Sequence, residues 1–489
     1  MKTSRLIIAV IGLLTAFSCS KEGAEEPVQA TGAYTLSVTA GKGGVDTKAL
    51  TLDGTTLNAT WAVGDEVTVY KGENLLGTLT AQTAGSNTTL NGTLTGTIAV
   101  DDVLTLKFLS PDYASQDGTL TGFDHSIDKV CDYAVATVTV KAVDGSNNIS
   151  IKETAASFEN QQAIVKFVLY NNRSASKKTA ASRLIVKVGS GEPYFLVYPD
   201  DFSTEYYVAI PGFTNQTLYL VACEQGVLRT FVKSGVSFEN DKYYVVSLEV
   251  APHTFTIADE ERVYFSQGNL VYDGSKWYFH DNQYDRVHPE GASATSYPMD
   301  LFCWGNVPNP AFDGEAFIGG MNYLSNNDGT DWGSNDIVNG GGPLPYWRTP
   351  WQEDLRYMLE SRTNAAGKYA LGRVAGVNGL IILPDDYAGT ALNTSHTGWI
   401  NTIIDASSWV IYEAYGAIFL PTAGNRSGSN IKQIDLDCQY WTATTTQVVS
   451  LDHWDEGSYY LNIDAKGFLW MKVKSRNEGR SVRLISDAS

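Results

Sequence analysis

Alternation of apolar and polar residues dominates the first half of this chain and limits what it can fold into. Runs such as YTLSVTA and YAVATVTVKAV have a period of two and are broken by Gly, Asn and Asp. That pattern is typical of short antiparallel strands with one buried face. After the turn-rich DGSNN, strands resume with QQAIVKFVLY. The spacing predicts two tandem β-sandwiches, over residues 34–148 and 149–250.

The tryptophans mark a change of composition near residue 255. Only Trp61 precedes that position, whereas the other ten of the 11 tryptophans follow it. Between residues 255 and 489, RVYFSQGNLVYDGSKWYF predicts two strands joined by an Asp-Gly turn. We expect the first of these strands to pair with RSVRLIS near the end of the sequence. The pattern predicts an α+β domain after the two sandwiches, and the fold class is therefore mainly β.

Two helices are predicted in this third region. In TPWQEDLRYMLESR, Thr349 would cap the helix, Pro350 would take its first position and Gln352 would complete a capping box. Residues at helical spacing that would face the core are Trp351, Leu355, Met358 and Leu359. Asp354 would lie on the opposite, solvent-facing side. The second helix, SSWVIYEAYG, would begin at a serine and end at Gly416.

The N-terminus carries the pattern of an export signal. Lys2 and Arg5 precede a short apolar run that ends with a small residue before Cys19. The run is too short to span a membrane, which takes about 20 residues. We expect residues 1–18 to be removed, Cys19 to be lipidated and residues 19–33 to form a flexible tether. The alternative is an ordinary secretory signal with an incidental cysteine.

Charge and cysteine content narrow the possible functions. The formal net charge is −19, which repels nucleic acid, so no nucleic-acid partner is expected. The four later cysteines, at positions 131, 223, 303 and 438, form no CxxC pair, and no metal site is expected. Cys303 and Cys438 either form a disulfide or are buried free thiols. The histidines show no metal spacing and no nucleophile elbow or phosphate loop is present, so we expect no enzyme and no cofactor.

Five segments of the sandwich region form a recognisable series. They are ATWAVGDEVTVY (59–70), SQDGTL (115–120), YAVATVTV (133–140), FENQQAIVKFVL (158–169) and YYVAIPG (206–212). On these segments, residues 34–250 resemble the fimbrillin-like proteins of Bacteroidales, the subunits of surface fimbriae. The resemblance implies two transthyretin-like β-sandwiches that assemble with other fimbrial subunits by donor-strand insertion.

In that family, a protease cuts after a basic residue that follows the first strand, and a strand from another subunit fills the opened groove. The corresponding cut in this sequence would fall between Lys48 and Ala49, where family members often have arginine. The alternative is that Lys48 is an ordinary exposed loop residue. The acidic residues Glu22, Glu25 and Glu26 after Cys19 resemble those of Bacteroidales lipoproteins. That resemblance implies a lipid anchor in the cell outer membrane and exposure on the cell surface.

Seven segments after residue 255 form a second, stronger series. They are VYFSQGNLVY, DLFCWGN, YWRTPWQEDLRYML, VNGLIILPDDY, GAIFLPTAGNR, YWTATT and GRSVRLI. On these segments, residues 255–489 resemble the C-type-lectin-like domains of Bacteroidales surface lipoproteins. The resemblance implies two helices, a small sheet and long loops that bear a ligand surface. It does not imply calcium, because the Glu-Pro-Asn and Gln-Pro-Asp tripeptides of calcium-dependent sugar readers are absent.

Two polar segments that contain tryptophan supply the candidate ligand-binding residues. SNNDGTDWGSNDIVNGGG (325–342) places amides and carboxylates around a tryptophan, a combination that stacks on sugars and hydrogen-bonds to them. The candidates in this segment are Asp331, Trp332, Asn335 and Asp336, and LDHWDEGSYY adds Trp454. The alternative is that both segments are structural and that their tryptophans pack inward.

These expectations favour cell-surface adhesion. The chain would be a fimbrial accessory or tip subunit, with a lectin-like head that binds a host or microbial glycan or protein. Because RSVRLIS is predicted to be used inside the third region, the chain would accept a donor strand but scarcely offer one. The alternative is a standalone surface lipoprotein that captures glycans and remains uncut at Lys48. An enzyme would require a clustered site that the sequence does not show.

Overall fold

The computed structural model describes most of the chain after residue 31. The described residues are 32–42, 51–53, 56–58, 60–171, 174–191, 194–199, 203–289, 297–304, 331–341, 346–393, 398–449, 454–464, 466, 469–476 and 478–488. Cys19, Lys48 and Ala49 lie outside them. The fold is mainly β, which confirms the predicted class. Within the described ranges, no helix has the length and apolarity needed to cross a bilayer.

The first sheet closes on itself as a barrel. Its region contains β1 (Gly32–Lys42), β2 (Thr51–Asp53), β3 (Thr56–Asn58), β4 (Glu66–Lys71), β5 (Asn74–Ala81), β6 (Asn87–Gly96), β7 (Val103–Phe108), helix α1 (Ile127–Val130), β8 (Ala134–Val143), β9 (Asn148–Ile151) and β10 (Ala156–Asn160). The strand order is β10-β1-β6-β5-β4-β7-β8-β9, and β2 pairs with β3 separately. The strands β9 and β10 each pair with both β1 and β8, and this double pairing closes the barrel.

An aromatic cluster centred on Trp61 fills one part of the barrel core. The indole ring lies edge-on to Phe108 of β7 and to Phe158 of β10, with ring centroids 5.3 Å apart in each case. All three side chains are buried. The structure therefore differs from the predicted division after residue 148, since β10 belongs to the first sheet by both pairing and packing.

The second sheet is open and also has eight strands. They are β11 (Ala163–Asn171), β12 (Ser174–Lys178), β13 (Arg183–Val188), β14 (Tyr194–Val197), β15 (Glu205–Ile210), β16 (Phe213–Glu224), β17 (Val227–Phe238) and β18 (Tyr243–Pro252). The order is β12-β11-β18-β17-β16-β13-β14, and β15 pairs antiparallel with β11. The strands β11 and β18 run parallel over eight residue pairs, from Ile164↔Tyr243 to Asn171↔Val250.

Residues 112–131, here called the joining segment, leave the barrel between β7 and β8 and lie against the second sheet. The Gln116 side chain accepts a hydrogen bond from the Ala209 amide at 2.7 Å and donates to the Ala209 carbonyl at 3.1 Å. Farther along, the Tyr207 amide donates to the Gly118 carbonyl at 2.8 Å. The joining segment therefore satisfies backbone groups along β15 that would otherwise form an open sheet edge.

The third region combines small sheets with helices. Its elements are β19 (Phe255–Ala258), β20 (Glu261–Phe265), β21 (Leu270–Tyr272), β22 (Trp277–Phe279), α2 (Gln352–Arg356), β23 (Tyr369–Val374), β24 (Val377–Ile382), β25 (Ile403–Ile404), α3 (Ala406–Ala414), β26 (Ile418–Pro421), β27 (Asn425–Ser427), β28 (Asn430–Lys432), β29 (Asp437–Val449), β30 (Trp454–Asp464), β31 (Leu469–Ser475) and β32 (Ile485–Asp487). The strand β20 pairs with β32, and β21 forms a hairpin with β22. Both pairings agree with the sequence analysis.

The cap of α2 differs from the prediction. The N-cap residue is Trp351, and its amide donates to the Asp354 carboxylate at 2.8 Å. Asp354, which was expected to face solvent, is therefore buried. Trp351, which was expected to face the core, is 49% exposed. Thr349 does not cap the helix, because its hydroxyl donates to Asp331. Leu355, like Met358 and Leu359, is buried as expected.

The helix α3 packs on the second sheet. Its cap is Asp405, whose carboxylate accepts from the Ser408 amide at 2.8 Å, so the helix begins at Ala406, one residue before the predicted serine. The helix ends before Gly416, as predicted, where a φ of +82° favours glycine. Val410 and Ala414 pack against Ile185 and Val221 of the second sheet. This contact joins the third region to the second sandwich.

We predict that Phe158→Ala selectively loosens the barrel. Removing a buried aromatic ring costs about 3–5 kcal/mol of unfolding free energy, so amide hydrogen exchange in β1 and β8 should become faster. The matched control is Phe238→Ala, which removes a buried ring from the second core. It should accelerate exchange in β16 and β17 instead. Equal effects of both variants on the two sheets would contradict the assignment of β10 to the barrel.

Candidate functional site

The strand β1 occupies an unusual position in the barrel. On one side it pairs antiparallel with β6 over ten residue pairs, from Gly32↔Gly96 to Gly41↔Asn87. On the other side its neighbours are parallel and interrupted. Only Thr35 and Leu36 pair with β9, and Ala40 to Lys42 pair with β10. The first described strand of the chain is therefore also the one that closes the barrel.

The inward face of β1 supplies part of the barrel core. Its buried side chains are Tyr34, Leu36, Val38 and Ala40, and they alternate with exposed residues. Burying each of the three larger side chains contributes about 1.5–3 kcal/mol, or about 5–9 kcal/mol together. A typical domain is stable by only about 5–15 kcal/mol. A barrel that lost β1 would therefore need another strand in its place.

The predicted cleavage position follows β1 closely in the sequence. The strand ends at Lys42, and Lys48 follows six positions later in the sequence. Lys48 and Ala49 lie outside the described residues, so the structure does not place them. A cut there would separate β1 from β2 and everything after it. After such a cut, β1 would be held in the barrel by noncovalent contacts alone.

Asp331 has a structural role that differs from the predicted one. Its carboxylate accepts from the Thr349 amide at 2.8 and 2.9 Å, from the Thr349 hydroxyl at 2.8 Å and from the Gly333 amide at 2.8 Å. These bonds tie two segments of the third region together. The described contacts of Asp331 are therefore structural, and its predicted contact with a ligand stays a prediction.

Trp332 also departs from the predicted ligand surface. It is 2% exposed and lies edge-on to Trp304, with ring centroids 6.2 Å apart. A buried ring offers no face for sugar stacking, so the alternative of an inward-packed tryptophan holds. Asn335 is half-buried and donates to the Trp332 carbonyl at 2.8 Å. Of this set, Asp336 is exposed.

The fifth candidate, Trp454, is the first residue of β30. Its backbone pairs with Val449 of β29. Its side chain lies outside the described residues, so its predicted contact with ligand stays a prediction. The backbone pairing places this residue at the end of the β29–β30 hairpin, beside residues 450–453.

Two exposed aromatic residues were missed by the sequence analysis. Tyr346 is 44% exposed and Trp351 is 49% exposed, and both belong to the segment that Asp331 anchors through Thr349. Helical spacing suggested that Trp351 faces the core. The missed signal is the position of Trp351 at the N-cap. A side chain at the N-cap precedes the helix, so it does not have to lie on the apolar face of the helix.

The four cysteines that the structure describes lie in surroundings that disfavour the thiolate. Cys303 and Cys438 are free thiols, so the possible disulfide between them is not formed. Burial raises the pKa of Cys303 to about 11 and also raises those of Cys131, Cys223 and Cys438, which keeps the thiols protonated. In the part of the chain that the structure describes, no group of three or more His, Cys, Asp or Glu residues is arranged to hold a metal ion.

Comparison with known proteins gives fold-level similarity only. No family model and no curated protein sequence matches the chain. A putative cell adhesion protein from Bacteroides uniformis matches at 10% identity over 46% of this chain and 94% of that one, with a TM-score of 0.27. A fimbrial assembly protein from Parabacteroides distasonis matches at 12% identity over 48% and 95%, with a TM-score of 0.25.

The shaft pilin SpaA from Lactobacillus rhamnosus GG is also similar. It matches at 13% identity over 46% of this chain and 98% of that one, with a TM-score of 0.19. At such low scores these similarities carry no argument about what the chain does. The functional argument therefore depends on β1 and on the exposed surface of the third region.

We predict that Asp331→Ala destabilises the third region by about 2–3 kcal/mol, because donors to a charged acceptor lose their partner. Hydrogen exchange at the Gly333 and Thr349 amides should accelerate markedly. The control is Asp336→Ala, which changes an exposed carboxylate five positions away. A larger effect of the Asp336 variant would contradict the anchoring role of Asp331.

Proposed function

We propose that this protein is a cell-surface adhesion subunit that joins a fimbria by strand exchange. The observation that carries the proposal is the position of β1, between an antiparallel neighbour and two short parallel ones. A strand bound mainly through one side and its apolar face can be replaced without changing the order of the others. If Cys19 carries the expected lipid anchor, this exchange would take place at the outer membrane.

Cleavage after Lys48 would be the trigger. It would turn β1 from a covalent part of the barrel into a bound peptide. A strand from another fimbrial subunit, with apolar residues at every second position, would then occupy the groove between β6 and the β9–β10 side. Backbone pairing with β6 would supply affinity, and the pockets of Leu36 and Val38 would supply specificity.

The environment of β32 supports an accessory or terminal position in the fimbria. Its residues pair with β20, from Val263↔Asp487 to Phe265↔Ile485. The Ile485 backbone also exchanges two hydrogen bonds with Arg348, at 2.8 and 2.9 Å. A strand held on both sides is not free to serve as a donor. The subunit would therefore accept a strand more readily than donate this one.

The third region would act as the ligand-binding head. Trp351 and Tyr346 offer half-exposed rings, and Asp336 offers an exposed carboxylate. Such a combination suits a glycan or a protein surface. Contact between α3 and the second sheet holds this head against the second sandwich. The lectin-like resemblance favours a glycan, and a protein ligand is the other possibility.

We predict that a limited dose of trypsin cuts the folded protein after Lys48 and that the cut protein takes up a replacement strand. The probe is a fluorescent peptide with the sequence of Gly32–Lys42, added in excess and followed by fluorescence anisotropy. Exchange should occur only after cleavage, because the covalent strand cannot leave. A peptide that carries Leu36→Asp and Val38→Asp should fail to enter, since both positions are buried.

The matched variants for this experiment are Lys48→Gln, which should stay uncut, and Lys129→Gln, an exposed lysine elsewhere that should be cut like the wild type. N-terminal mass spectrometry identifies the cut. Resistance at Lys48, or no peptide uptake after the cut, would contradict strand exchange. That outcome would leave the standalone surface lipoprotein as the explanation.

We predict that Trp351→Ser weakens glycan binding on a microarray about tenfold, because a stacked aromatic ring is lost. The control is Ile400→Ser, which removes another exposed apolar side chain of the third region. Equal binding by the two variants would contradict the proposed head surface. Absence of any bound glycan would direct the search to protein ligands.

A further inference from the structure

The turn between β16 and β17 leaves the second sheet and enters the core of the third region. Its residue Val227 is 3% exposed and packs in one apolar cluster with Phe279 and Trp347. The backbone is paired as well, because the Gln267 amide donates to the Gly226 carbonyl at 2.7 Å. A short piece of the second sandwich is therefore part of the core of the third region.

Glycine is required at the centre of this turn. Gly226 has a φ of +78°, a left-handed conformation that other residues rarely adopt. A Cβ atom at this position would lie 2.9 Å from Cε2 of Phe279 and 3.1 Å from Cζ2 of Trp347. Both distances are shorter than the optimal contact between carbon atoms, which is about 3.5–4.0 Å. The backbone of the turn therefore lies directly on two aromatic rings of the third region.

Trp347 connects this turn to the segment that carries the exposed rings of the head. Its ring is buried, and its Nε1 donates to the Gly340 carbonyl at 2.8 Å. The next residue, Arg348, donates to the Asp354 carboxylate at 2.6 Å. The same carboxylate accepts from the Trp351 amide at 2.8 Å. Direct contacts therefore lead from the turn, through Trp347 and its neighbour, to Trp351.

A second set of contacts holds the third region against the second sheet. The Lys187 ammonium of β13 is buried and donates to the Ser407 hydroxyl of α3 at 2.6 Å. On the same helix, Val410 and Ala414 pack on the sheet. Domains that share little apolar interface move relative to each other, whereas a larger apolar interface fixes them. The second sandwich therefore holds the third region at two places, the turn and α3.

We infer that the β16–β17 turn positions the ligand-binding segment of the head, so that the second sandwich and the head form one binding unit. The inference rests on the proposed function, in which Tyr346 and Trp351 contact the ligand. Trp347 lies between these two exposed residues in the sequence, and its ring packs on the turn. A change that pushes Trp347 away from the turn displaces the exposed rings on either side of it.

The test compares Gly226→Ala with Gly235→Ala in the full chain. The two glycines have similar φ values, +78° and +75°, so the backbone strain is matched. Their surroundings differ, since the nearest atom to a Cβ at Gly235 is Oδ1 of Asn215, 3.7 Å away. Gly226→Ala should accelerate hydrogen exchange at the Arg348 amide about tenfold or more, because displacement of Trp347 disturbs the bond of that amide to β32. Gly235→Ala should leave this exchange unchanged.

Ligand binding is the second readout. For any glycan that the wild type binds on a microarray, Gly226→Ala should bind about fivefold or more weakly than Gly235→Ala does. Both variants keep Trp351 and Tyr346, so a weaker signal reports the position of these rings and not their loss. Thermal unfolding of both variants checks that they fold.

A double-mutant cycle separates the contact from general destabilisation. The effect of Gly226→Ala on the Arg348 amide should be smaller in a Phe279→Leu background, because the shorter side chain makes room for the added methyl group. The effect of Gly235→Ala should be the same in both backgrounds. If Gly226→Ala does not fold, Val227→Ala replaces it and should accelerate the same exchange, with Val236→Ala of the second core as its control.

The inference is overturned if the two alanine variants exchange equally at the Arg348 amide, or if the Phe279 background leaves the effect of Gly226→Ala unchanged. It is also overturned if Gly226→Ala binds a glycan as tightly as the wild type does. If the wild type binds no glycan, the proposed glycan-binding head fails, and hydrogen exchange alone decides whether the turn positions the segment. None of these results bears on cleavage after Lys48.

Discussion

The pairing of β1 with β6 is the interaction on which the barrel depends. The strand β1 lies between β6 on one side and β9 and β10 on the other. It pairs with β6 over ten antiparallel residue pairs, and a row of its side chains is buried in the barrel core. The other neighbours of β1 are parallel and cover five of its residues. Closure of the barrel therefore depends on a strand that is attached to the rest mainly through one edge. Such a strand is suited to replacement by another chain.

The elements around this strand are fixed more firmly. The joining segment is hydrogen-bonded along β15, and α3 packs on the second sheet. The strand β32 is enclosed between β20 and the backbone of Arg348. Among the described elements, β1 is thus attached mainly along one edge while these others have contacts on two sides, which is the arrangement that the proposed strand exchange requires.

Local pattern predicted the elements better than it predicted their partners. Alternation located β1 and β8 because each strand buries one face. The membership of β10 in the barrel depends on pairing with β1, which is more than a hundred residues away. The roles of Asp331 and Trp332 depend on Thr349 and Trp304, so composition alone could not separate an anchor from a ligand residue.

The most direct test of strand exchange is a reversible covalent lock on β1. Ser37 and Asn91 face each other across β1 and β6 and both are exposed, so Ser37→Cys with Asn91→Cys suits a disulfide. After cleavage at Lys48, the oxidised protein should exclude the labelled Gly32–Lys42 peptide, and reduction should restore its uptake. Uptake by the fully oxidised protein would contradict the central claim, because the peptide would then bind without displacing β1.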